Sequence, residues 1–160
     1  MNTETIMLST VQHGVHLRHT EIEVRPITVL FGMRSTDVLM GYPDDFPPVH
    51  RFPEIMKHPT EQAELGSHFA RLARGGTHQV IETTSALLIL RILRLVRDGV
   101  LSTDEVIMHH INQHEDQIIT LFVTDVGQFD RRVPSKFFSQ DVDELFGETL
   151  TDEQVFGGAE

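Results

Sequence analysis

The stretch GMRSTDVL, residues 32–39, follows directly on the apolar run ITVLF. A strand that ends in Gly is where a phosphate loop belongs, and the working spacing is G-x-x-x-x-G-K-[ST]. Backbone amides wrap the phosphates, the Lys neutralises the β/γ charge, and the hydroxyl ligates Mg²⁺. Against that spacing Gly32 stands at the first Gly, Asp37 at the second, Val38 at the Lys and Leu39 at the Ser or Thr. The stretch is either an unrelated turn or a phosphate loop that has lost its chemistry. Asp37 would put negative charge where phosphate must sit, and it reads more simply as a turn or cap residue.

Other residue types invite other chemistry. Ten histidines raise a metal site, with His13, His16 and His19 three apart and His109, His110 and His114 in HHINQH. Adjacent strand residues point to opposite faces, so His109 and His110 cannot hold one ion. No metal is expected. Ser85 stands on a strand-to-helix turn, yet TTSAL lacks the flanking glycines of a nucleophile elbow, and a helix cap accounts for it. Glu54 and Glu82 form a candidate carboxylate pair. With no nucleotide or metal to serve, they read as capping and hydrogen-bonding groups.

The elements that must position these residues come from periodicity. TIMLSTV and TEIEV read as strands joined by QHGVHLRH, and ITVLF is a strand buried on both faces. Residues 41–53, GYPDDFPPVHRFP, carry four prolines, which predicts irregular structure and the one seam in the chain. PTEQAELGSHFARLARGG predicts a helix with Pro59 in its first turn and Gly75-Gly76 as its stop. HQVIET is a strand, SALLILRILRLVRDG a second helix, and DEVIMHHI and QIITLFV two more strands. SQDVDELFG would close the chain as a short helix. Alternating strands and helices predict an α/β sheet with parallel pairing, plus antiparallel strands at the N-terminus.

Length and composition set the frame. A chain of 160 residues, 39% hydrophobic and 23% charged, suits one soluble domain. There is no Cys, which excludes a disulfide scaffold and thiolate metal sites and fits a cytoplasmic setting. The start MNTETIMLST lacks the blocks of a signal peptide. SALLILRILRLV is short and broken by Arg91 and Arg94, so no membrane span is expected. A formal net charge of −11 argues against direct nucleic-acid binding. The domain is expected to run over 1–147, with 148–160 as a flexible acidic tail.

The order of these words resembles the ABC-class, AAA-type ATPases related to the overcoming-lysogenization-defect family. HTEIEVRPITVLFG is similar to that family's entry into its phosphate loop. The block from Pro53 to Val106 is similar to its second half, where a Walker B strand runs into P-E and H-P, then a helix, a strand, E-T-H-S and an L-x-x-R-I helix. GQFDRRVPSKFFSQDVDELF resembles the closing segment, without its Trp. The resemblance covers residues 5–147 and implies a P-loop NTPase-like sheet, of the kind found in ABC-ATPase heads.

The departures carry as much meaning. Arg51 and Phe52 occupy the places of the Walker B Asp and the catalytic Glu. Neither can hold Mg²⁺ or orient a water. The apolar strand that should lead into them is replaced by GYPDDFPPV. The long stretch between the Walker motifs, signature sequence included, has shrunk to about a dozen residues on the family pattern. E-T-H-S has become ETTS, with Thr84 in place of the switch His. Gly32, Glu54, Glu82, Thr84 and Ser85 thus mark a nucleotide site by position alone. The resemblance implies a non-catalytic ATPase-like binding or regulatory module without cofactor. Its partner would be a second copy, as a homodimer, or an intact ATPase of the same class. The alternative is an ATP-binding protein with Mg²⁺ and weak or partner-dependent hydrolysis. The helix ALLILRILRLV is apolar over most of its circumference, which predicts uncovered surface for such a partner.

Overall fold

A computed structural model describes residues 4–12, 15–32, 38–41, 49–51, 58–112 and 117–133. Two layers of sheet and one layer of helix make up the fold. Strands β1 (Glu4–Gln12), β2 (Val15–Val24) and β4 (Val38–Gly41) form an antiparallel sheet in the order β2-β1-β4. Strands β3 (Ile27–Phe31), β5 (Val49–Arg51), β6 (Gln79–Thr83), β7 (Val106–Asn112) and β8 (Gln117–Phe122) form the second sheet, ordered β5-β6-β3-β7-β8. Its first four strands are parallel, and β8 returns antiparallel to β7. The protein is therefore mixed α/β.

ITVLF lies at the centre of the five-stranded sheet, with all five residues buried. A continuous apolar run suits a strand covered on both faces. Ile27, Val29 and Phe31 enter the core beneath the helices, while Leu30 turns to the core shared with the three-stranded sheet. QVIET lies beside it in parallel, with Val29 opposite Ile81 and Phe31 opposite Thr83. Helices α1 (Pro59–Arg74) and α2 (Ala86–Arg97) pack side by side. The connections β5-α1-β6 and β6-α2-β7 advance in the same direction across the sheet, and right-handed crossovers then put both helices on one face.

Local sequence explains the helix ends. The His58 imidazole accepts from Thr60 N and the Glu61 carboxylate accepts from His58 N, which caps α1. Gly66, mid-helix, lets α2 approach closely, because a Cβ there would come within 2.9 Å of Leu88 O. The expected apolar circumference of α2 is taken up from within. Leu88, Ile89, Ile92, Leu93 and Val96 are buried, and among its residues only Leu90, 46% exposed, is a large exposed hydrophobic.

Two expectations meet a different outcome. The stretch QHGVHLRH, expected as a connection, is mostly strand: β1 runs to Gln12 and β2 starts at Val15, with a register shift between Thr10 and Val11. The proline-rich seam 41–53 contains β5, where Val49–Arg51 pairs with Val80–Glu82. Three of the seam's prolines precede those residues and one follows, so the short edge strand keeps its donors. Val38–Gly41, for which no element was expected, forms β4 against Ser9–Gln12. The closing helix SQDVDELFG, His13, His114 and the tail 148–160 lie outside the described residues.

Candidate functional site

Parallel pairing in register gathers several of the residues singled out from sequence at one edge. Phe31 stands opposite Thr83 on β6 and opposite His110 on β7. The carboxyl ends of β3, β6 and β7 therefore bring Gly32, the segment Glu82–Ser85 and His110 to the same side of the sheet. The chain leaves β3 toward β5 on one side and leaves β6 toward β7 on the other. Such a reversal creates the crevice where open α/β sheets bind ligands.

At this edge protein side chains pack against Gly32. Gly32 has φ of 95°, a backbone state that favours Gly, and a Cβ there would come within 2.7 Å of the His110 ring and 2.9 Å of Ile111 O. His110 meets Phe31 edge-on at 5.2 Å, and Phe129 stacks on Phe31 at 6.2 Å. Burial pushes the His110 imidazole below its ordinary range. It is therefore neutral near pH 7 and brings no positive charge to an anion.

Ser85 is committed as a helix cap. Its Oγ accepts from Leu88 N at 3.1 Å and donates to Gln62 Oε1 at 2.7 Å, while its own N–H donates to Thr83 Oγ1 at 3.0 Å. A nucleophilic hydroxyl needs a base to take its proton, and the group that receives it here is a carboxamide oxygen. Glu82 is half-buried on β6, between Leu30 and Arg51 in register. Thr84 is exposed. Glu54, Asp37 and Phe52 lie outside the described residues. Among the described residues no group of three His, Cys, Asp or Glu could hold a metal ion, and no helix is long and apolar enough to cross a membrane.

The structure also assigns roles that sequence reasoning missed. His109 is fully buried and bridges the two sheets. Its Nε2–H donates to Glu23 O at 2.8 Å, which leaves Nδ1 to accept from Thr120 Oγ1 at 3.0 Å. Arg25, after β2, binds Glu23 through Nε at 2.8 Å and donates through Nη1 to Thr103 O at 2.9 Å. It also lies over the Phe122 ring, 5.3 Å from its centroid. On the outer strand, His50 and Phe69 meet at 5.1 Å, and burial followed by the nearby His68 pushes the His50 imidazole down. A polar residue inside a strand pattern was the one available signal. HHI has two such residues in a row, one for each core.

Compared with known protein families, curated proteins and solved structures, the chain matches none.

Proposed function

We propose that this chain is a non-catalytic ATPase-like module that pairs with itself or with an intact ABC-class ATPase, and that it works in the cytoplasm. The observation that carries the reading is the path of the chain after Gly32. A phosphate loop works because it opens a helix whose N-terminal amides and dipole face the anion. The positions where that helix would begin, Val38–Gly41, run as β4 in the antiparallel sheet. With that helix go the Lys and the hydroxyl, replaced by Val38 and Leu39.

The order of elements supports the ancestry half of the proposal. A central strand leads to Gly32, a short parallel strand leads toward Pro53-Glu54, and a helix, a strand, a capped turn and a helix follow. These are the pieces that the resemblance requires, in its order. The His110 ring against Gly32 supports the incompetence half. On this reading Gly32, Glu82, Thr84 and Ser85 would keep the places of a nucleotide site, and none of them supplies a cation for phosphate.

Calorimetry with Mg-ATP tests this directly. The expected result is no binding tighter than about 1 mM, because the charge-assisted phosphate bonds have been removed. A micromolar dissociation constant would sink the proposal and favour a residual ATP-binding role.

A further inference from the structure

β2 is ten residues long and forms the outer edge of the three-stranded sheet. Among the described residues no strand pairs with its far side. A long unpaired edge is a template for another strand, and natural proteins guard such edges with charge, bulges or Pro. Here the order of its charges points elsewhere. The one register shift sets Thr10 opposite Arg18 and Val11 opposite His16, so the extra residue is Leu17 near the start of β2, while Arg18–Val24 runs in regular register and β2 holds no Pro or Gly. Its sequence, VHLRHTEIEV, has every basic or imidazole residue before Thr20 and every acidic residue after it.

That order is self-complementary for a strand that pairs with a reversed copy of itself. On the solvent side of the sheet His19 and Glu21 are exposed, while Ile22 and Val24 face the core. In an antiparallel pair, directly opposed residues share a face, so the alternation allows only registers that differ by two residues. With Thr20 opposite its own copy, His19 meets the partner's Glu21 and Glu21 meets the partner's His19. A shift one way would set Glu21 against Glu21, and a shift the other way would set His19 against His19. Only the register centred on Thr20 sets unlike groups opposite each other at its centre. The stretch available for pairing stops near the end of the strand, where Glu23 O already accepts from His109 Nε2.

We infer that two copies of the chain join edge to edge through β2, antiparallel and centred on Thr20, with His19 and Glu21 pairing reciprocally across the two-fold axis. The two three-stranded sheets then become one continuous sheet, β4-β1-β2 joined to its copy. The contact is isologous, so it closes at a dimer and leaves no edge of this sheet open at the junction. This rests on the self-pairing half of the function proposed above and names the surface that would perform it.

Paired charge-reversal variants test the interface. Glu21→Lys alone removes the carboxylate that His19 of the other copy would meet, and His19→Glu alone sets a carboxylate against Glu21. By sedimentation velocity at low salt, each variant is expected to dimerise at least tenfold more weakly than the natural chain. An equimolar mixture of the two is expected to recover the dimer, since each variant supplies the charge that the other now needs. Glu21 also accepts from Thr5 Oγ1, so circular dichroism must first show both variants folded. If either fails to fold, hydrogen exchange on the natural chain decides alone. Amides within 18–22 should gain protection as concentration rises through the dimer range. Dimers that survive both reversals, concentration-dependent protection outside β2 only, or a monomer at all concentrations would each overturn the inference. Only the last of these also removes self-pairing from the proposed function, and none bears on nucleotide incompetence, which calorimetry tests separately.

Discussion

At the scale of single residues, His109 and Gly32 carry the most consequence. Burial lowers the His109 imidazole below its ordinary value of 6.5, against the opposing effects of the hydrogen bond to Glu23 O and the Glu23 carboxylate. A base depressed in the folded state takes up its proton more readily when unfolded. The stability tied to it is full above about pH 6.5 and falls as pH drops toward the folded value. His110 and His50 are shifted the same way, both first by burial. Urea midpoints should therefore decline from pH 7.5 to pH 5, and His109→Gln should flatten part of that decline at some cost in stability at pH 7.5. A midpoint independent of pH over this range would contradict the account. Gly32→Ala meets two penalties at once, a positive φ and contact with both a ring and a backbone carbonyl. A loss of about 2 kcal/mol is expected from urea melts, and removing the His110 ring as well should recover only part of it.

The elements show how competing local terms resolve. Gly66 sits inside α1, where Ala is ordinarily better by about 1 kcal/mol. The added Cβ would lie 2.9 Å from Leu88 O and 3.0 Å from the Arg91 side chain. Arg91 can move, but a carbonyl in the neighbouring helix cannot move without shifting α2. Overpacking of this kind costs about 1–3 kcal/mol, so Gly66→Ala should be destabilising overall, by about 1 kcal/mol. A thermal melt that rises would show that the helices separate freely. Ser85→Ala removes the cap on Leu88 N and leaves Gln62 Oε1 without this donor. The expected cost is about 1–2 kcal/mol, read as a lower urea midpoint with the fold retained.

Taken whole, the molecule is a sheet of mostly parallel strands with helices on one face and a second sheet on the other. This arrangement answers where the apolar surface of α2 goes. It is covered by α1 and by β3, β6 and β7, so α2 offers little to a partner. The edges of the two sheets are the surfaces left for association. Arg25 fastens the layers where β2 descends into β3, holding Glu23 and Thr103 O at once. Arg25→Ala should loosen that junction and lower the urea midpoint, and Arg25→Lys should recover little of the loss. Lys cannot reproduce two separate N–H directions and the stacking over Phe122.

Much of this architecture was legible in the sequence. The unbroken apolar run ITVLF marked β3 as an interior strand, because only a strand covered on both faces tolerates it. Caps and glycines bounded α1 and α2 to within a residue. Other features were set by contacts distant in sequence. Local propensity marks prolines as breakers, yet Val49–Arg51 forms a strand because β6 presents an open edge beside it. VLMG could have opened a helix after Gly32, and β1 captures it as a strand. Neither imidazole of HHI has a role that its neighbours in sequence reveal. A strand sends adjacent side chains to opposite cores, and only the packed layers decide that His109 bonds to Glu23 O and Thr120 while His110 closes over Gly32. Sequence determined the elements, because those depend on residue type and short spacing. Tertiary structure decided what packs against Gly32, because that depends on which strands become neighbours.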